Sequence, residues 1–197
     1  MKKLFLVGFQ LSGDLMDEVN KMKQEVISEC GMQSLVDDVP HCTLNLNQFD
    51  KIEKVDEEIK KAVESFPVFE IFVDGLGSFD NEVIFLKVLP SDLLTKLQEK
   101  IAKSVASFHI GEHCRETQPR LNLTSGQISN SEKFGFPYVG KTWVPHITIA
   151  VLKKECFTKL GKKLLKRVIK RNFLLDKIIL YEWSDGWKLF RVYELKR

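Results

Sequence analysis

One hexapeptide occurs twice in this chain, and it limits the possible folds more than any other feature. Val39-Pro40-His41-Cys42-Thr43-Leu44 returns as Val144-Pro145-His146-Ile147-Thr148-Ile149, with four of six positions identical and the other two apolar in both copies. In a β-strand, residues two apart project from the same face, so each copy presents one imidazole and one hydroxyl on one side and sends its apolar residues to the other. A repeat of this kind points to an internal duplication, with the two strands brought together around one surface.

The rest of the chain supports two comparable halves. Leu4–Phe9 reads as a strand, and 14–29 as a helix with Leu15, Val19, Met22 and Val26 on one face, capped by Ser12 or Asp14. His41–Phe49 follows as a strand, Asp50 opens a helix through Val63, and Val68–Phe79 and Val83–Leu89 form a hairpin through Asp80-Asn81-Glu82. Ser91 caps a helix over about 92–107. The segment 109–141 has no clear period, and loops of that length in a compact domain usually have a role. A strand at Trp143–Leu152, a helix at 153–171 and strands at Asp176–Trp183 and Trp187–Leu195, turned at Ser184-Asp185-Gly186, complete the series. The expectation is an α+β fold in one domain over 1–197, with no flexible linker.

Composition narrows the class. The chain has 197 residues, 44% hydrophobic and 29% charged, enough for a good core, and no apolar run approaches the roughly 20 residues that cross a bilayer. The opening Met1-Lys2-Lys3 and Leu4–Phe9 read as a first strand and not a leader, because Gln10 and Asp14 break the apolar stretch. Cys30, Cys42, Cys114 and Cys156 lie far apart with no C-x-x-C pair, which favours free thiols and a cytoplasmic setting. Net charge is +3 but uneven: −6 over 1–70, −1 over 71–140 and +10 over 141–197, so a polyanion would meet the last third first. The 153–171 helix carries much of that charge.

Two imidazoles and two hydroxyls around one cleft suit phosphodiester chemistry. One histidine can take a proton from the attacking oxygen while the other, protonated, gives one to the leaving oxygen, and the threonines can hydrogen-bond non-bridging phosphate oxygens. His41, Thr43, His146 and Thr148 are therefore the candidate catalytic set. By strand parity Asn45 and Asn47 continue the same stripe, and Asn45 is a candidate for sugar contacts. Bases without a pairing partner are commonly held on aromatic rings. Phe136, Tyr138, Tyr181, Trp183 and Trp187 are available, of which Tyr138 and Tyr181 are preferred, while Lys141 and Arg120 are candidate phosphate cations. His109, His113 and Cys114 are spaced poorly for a metal site because Gly111 interrupts any helix there. Neither G-x-x-x-x-G-K nor G-x-G-x-x-G occurs, which argues against nucleoside triphosphate use.

With its H-x-T-x pair, His41-Cys42-Thr43-Leu44 and His146-Ile147-Thr148-Ile149, the chain resembles the 2H phosphoesterase superfamily, most closely the 2′-5′ RNA ligase-like and cyclic phosphodiesterase branches. The resemblance implies a bilobal, pseudo-twofold fold in which each lobe is an antiparallel sheet flanked by helices, with one motif per half and a cleft between the lobes. It also implies RNA or short oligonucleotide substrates with a 2′,3′-cyclic phosphate or a 2′-5′ linkage, ligation as the reverse reaction, and no metal or other cofactor. A monomer with no obligate protein partner and no membrane association is expected. Two other readings share the cleft: a phosphodiesterase of a cyclic oligonucleotide signal, and a binding module for RNA or a nucleotide without turnover.

Overall fold

The computed structural model describes residues 3–110 and 122–197. Arg120, His113 and Cys114 lie outside the described residues. The elements run in the order β1 Leu4–Gln10, α1 Gly13–Cys30, β2 His41–Gln48, α2 Ile52–Glu64, β3 Phe69–Phe79, β4 Val83–Val88, α3 Asp92–Val105 and α4 Ser125–Phe134. After β5 His146–Val151 come a broken helix α5 over 154–164, β6 Lys170–Leu175, β7 Lys177–Trp183 and β8 Trp187–Glu194.

Most of these follow from local chemistry. Helix α1 buries Leu15, Val19, Met22 and Val26 and ends at Gly31, whose positive φ of 70° closes the last turn onto the Ile27 carbonyl. The Ser91 hydroxyl accepts from the Leu94 amide at 3.2 Å to start α3. Asp80 and Asn81 both take left-handed conformations in the β3–β4 turn, the pairing that suits a right-twisted hairpin.

All strands join one eight-stranded antiparallel sheet in the order β6-β3-β4-β5-β2-β1-β7-β8. The expected α+β duplication is present, but its two sheets are halves of one. Four strands flank each side of the β2–β5 junction, and that junction is a single residue pair, Cys42 opposite Ile147. Nor do the lobes follow the chain from front to back. One consists of β1, β2, β7 and β8 from both ends of the sequence, the other of β3 to β6 from its middle. The helices cross over as well: α1, which leads into β2, packs against β5, and α3, which leads into β5, packs against β2.

Three expectations need correction. The helix read over 153–171 stops at Leu164, with a π-helical stretch at Phe157–Gly161, and β6 begins at Lys170. Of the nine cations over 153–171 only Lys170 and Arg171 fall on β6, an edge strand, where lysine and arginine discourage pairing with other chains. The irregular segment contains α4, opened by a capping box between Thr124 and Gln127. Cys30 and Cys156 are disulfide-bonded, joining the end of α1 to the start of α5 across 126 residues of sequence. The bond removes the cysteine spacing as an argument for a reducing compartment.

A cross-link closing so long a loop restricts the unfolded chain more than the folded one. Reduction, or the Cys30→Ser/Cys156→Ser variant, is expected to lower unfolding free energy by about 2–4 kcal/mol in a denaturant titration. An unchanged midpoint would show that the cross-link contributes nothing to stability.

Candidate active site

The site is built on the β2–β5 junction. With Cys42 opposite Ile147 in an antiparallel pair, the register sets His41 across from Thr148 and His146 across from Thr43. Four candidate side chains are therefore gathered on one face of the sheet, within two adjacent strands. Between them the Cys42 thiol points into the core, and burial pushes its pKa up to about 12, which keeps it protonated and inert.

Both imidazoles are held alike. His41 Nδ1 lies 2.8 Å from the Val39 carbonyl and His146 Nδ1 lies 2.7 Å from the Val144 carbonyl, each two residues upstream. A carbonyl oxygen only accepts, so each Nδ1 carries a hydrogen and each Nε2 of a neutral ring is left as the proton acceptor. Pro40 and Pro145 give these turns a fixed backbone angle. Burial lowers the pKa of both rings; for His41 the Asp38 carboxylate works in the opposite direction, while a charged His146 would add to the lowering. Both rings therefore favour the neutral form, and protonation of the two together is disfavoured most.

The surroundings of the two rings differ. His41 has the Tyr181 ring at 6.2 Å, and the Tyr181 hydroxyl accepts a hydrogen bond from Gln10, the residue opposite His41 on β1. His146 sits edge-on to Phe79 at 5.0 Å and Phe85 at 5.2 Å, and those two rings stack at 4.2 Å. Gly77 makes that stack possible, since a Cβ there would lie 2.6 Å from the Phe85 ring. Gly8 serves the other motif: opposite Thr43, it lets β1 approach so closely that a Cβ would collide with the Cys42 carbonyl oxygen.

Asn45 is not in the cleft. The β1–β2 register pairs Gly8 with Thr43 and Val7 with Asn45, leaving Leu44 as an extra residue in a β-bulge. The bulge reverses the parity, so Leu46 shares a face with Leu6 while Asn45 and Asn47 join Val7 and Phe5 on the buried, helix-covered side. Asn47 Nδ2 donates to Asn45 Oδ1 at 3.0 Å and to the Phe134 carbonyl at 2.8 Å. The same slip follows the second motif, where Phe85 pairs with Thr148, Ile84 with Ala150, and Ile149 is the extra residue. Each H-x-T-x copy thus ends in a bulge at its fourth position.

The remaining candidates are scattered. Tyr181 is brought beside His41, the residue 4% exposed and its pKa raised to about 12 by burial. Tyr138 packs edge-on to Phe136 at 5.5 Å, and its carbonyl accepts from the α3 residue Gln98. Lys141 is exposed on the turn Gly140–Thr142, in the same loop as Trp143. His109 Nδ1 bonds the Ala106 carbonyl, and among the described residues no cluster of three or more metal-ligating side chains exists. Trp143 is a residue that strand parity gave no reason to select: its indole N–H donates to the Thr43 carbonyl at 3.0 Å, tying the approach to the second motif to the first.

A site of two H-x-T strands, related by a pseudo-twofold and meeting in one antiparallel sheet, defines a two-histidine class of protein. The family model described as the 2′-5′ RNA ligase superfamily matches residues 14–187, and the chain belongs to that superfamily. Comparison with curated proteins gives no match. Solved structures share the fold. TT0787 of Thermus thermophilus is 16% identical with a TM-score of 0.64, covering 98% of each chain. E. coli LigT complexed with NADP+ is 13% identical with a TM-score of 0.60, covering 100% of each chain, and LigT complexed with 3′-AMP is 12% identical with a TM-score of 0.56 over the same coverage.

Because Phe85 is wedged between Phe79, His146 and the bare Gly77 backbone, Gly77→Ala is expected to destabilise the fold by about 1–3 kcal/mol through overpacking. It should also shift the His146 ring resonances in an NMR spectrum while leaving those of His41 in place. Equal shifts at both histidines, or none, would contradict a separate support for each ring.

Proposed function

We propose that the protein is a metal-independent phosphodiesterase of RNA termini or short oligonucleotides, which opens 2′,3′-cyclic phosphates or cleaves 2′-5′ bonds by paired-histidine acid–base catalysis. The observation that carries this reading is the matched hold on the two rings, each with Nδ1 on an upstream carbonyl and a threonine two residues on along the same face. The solved complexes of LigT with 3′-AMP, ATP and NADP+ add support for a nucleotide ligand.

In cyclic phosphate opening, water attacks phosphorus as the Nε2 of one histidine removes its proton. The P–O bond to one ribose oxygen breaks, and the second histidine, protonated at Nε2, supplies that oxygen with a proton. The product is a phosphomonoester beside a free hydroxyl. In 2′-5′ cleavage the neighbouring 3′-hydroxyl takes the place of water, the 5′-oxygen leaves, and a cyclic phosphate remains; the reverse of this step is ligation. Thr43 and Thr148 donate to the non-bridging oxygens as charge grows on them. The two histidines share both roles, since the pseudo-twofold lets either serve in either direction. No step calls on a cofactor or on a second protein, in keeping with a monomer.

The test is incubation in EDTA with 2′,3′-cyclic nucleotides, a 2′-5′-linked oligoadenylate, its 3′-5′ isomer and a cyclic oligonucleotide, with products resolved by mass. Turnover of the first two substrates is expected, reduced about 10²- to 10⁴-fold in His41→Ala and in His146→Ala. Preference for the cyclic oligonucleotide would move the assignment to a signal phosphodiesterase. Binding without conversion of any substrate would make the protein a nucleotide-binding module.

A further inference from the structure

The pseudo-twofold that relates the two motifs is broken on the cleft face, and the residues opposite the two histidines differ in charge. Opposite His41 stands Gln10, whose amide is engaged by Tyr181; opposite His146 stands Lys87. Lys87 shares its face with Phe85 and His146, is exposed, and among the described residues has no ion-pair partner. On the four strands nearest the junction, β4, β5, β2 and β1, it is the one cationic side chain among the described residues on that face. Its stem is accommodated by Gly77, where a Cβ would lie 3.3 Å from Lys87 Cε.

We propose that Lys87 is the phosphate-binding cation of this cleft, contacting a non-bridging oxygen of the phosphoryl group from the His146 side. The inference rests on the phosphodiesterase reading above and adds to it a residue that strand parity and the repeat do not mark. The Lys87 stem lies over Gly77 on β3, the neighbour of β4 opposite to β5, and with strands about 4.8 Å apart a rotation about its long stem carries the ammonium group across β5 to a phosphate held between the two histidines. A diester carries one negative charge, and the opened phosphomonoester approaches two. With both imidazoles favouring the neutral form, the described residues of β4, β5, β2 and β1 bring no other positive charge to that face to meet it. A lysine acts there as a point charge, indifferent to the orientation of the oxygens. Because its twofold mate is an uncharged glutamine, the charge lies to one side, and a phosphoryl group entering the cleft is drawn toward His146.

The test uses the full chain and two probes, inorganic phosphate and 3′-AMP, with binding measured by calorimetry at several salt concentrations. Lys87→Met is expected to weaken 3′-AMP binding by about ten- to a hundredfold, the range of a lost charge-assisted hydrogen bond, and to flatten its salt dependence. Lys87→Arg should restore most of the affinity. Lys60→Met, which removes the same charge from α2 on the helix-covered side, should leave binding unchanged, and thermal melts establish that each variant folds. Equal losses in Lys87→Met and Lys60→Met would overturn the proposal in favour of net charge alone. Unchanged binding in Lys87→Met, with the parent protein binding and turning over nucleotides, would overturn it while leaving the phosphodiesterase reading intact. Failure of the parent protein to bind either probe would overturn both.

Discussion

A single antiparallel residue pair, Cys42 with Ile147, joins the two halves of the sheet, and the site depends on it. Strands in full register would run their cleft-facing residues together in long rows. Here β2 and β5 touch only where the motifs cross, so the junction brings two histidines and two threonines together while the strands part on either side of them. The crossed helices reinforce it, α1 lying against β5 and α3 against β2, so that each lobe is packed with a helix that leads to the other lobe's motif strand. The Trp143 indole, reaching from one motif's approach to the other's backbone, is a further tie across the same junction.

Much of this was readable in the amino-acid order, and the omissions have physical causes. Period 2 located β2 and β5 and put His and Thr on a shared face, because strand geometry alone determines that. Parity failed at Asn45, since a bulge at Leu44 is set by how β1 and β2 meet and leaves no local mark. The helix over 153–171 was over-extended because Leu160, Leu164, Leu165 and Val168 keep helical spacing. Val168 is 85% exposed, however, and belongs to the connection before an edge strand. Helix α4 buries little more than Ser131 and Phe134, too few apolar residues for periodicity to reveal, and the capping-box spacing of Thr124 and Gln127 is the one local mark of its start that the irregular reading of 109–141 passed over. The Cys30–Cys156 bond joins residues 126 apart, a contact that only the tertiary arrangement of α1 and α5 creates.

Duplication gave the two rings the same backbone tether, and divergence gave them different neighbours. His41 looks toward Tyr181 and Gln10, and His146 toward two phenylalanines and Lys87. A symmetric frame thus carries unequal sides, which is what a substrate with distinguishable ends requires. The frame sets where the nitrogens are; the neighbours set which end of a substrate each one meets.

The account depends on both rings presenting Nε2 to the cleft and favouring the neutral form, and a pH titration of the ring nitrogens by ¹⁵N NMR tests this directly. It predicts the Nδ1–H tautomer for His41 and His146 when neutral, and protonation of both below the ordinary imidazole range, because burial penalises the charged form. An Nε2–H tautomer at either ring, or titration of both at the value of an exposed histidine, would contradict it.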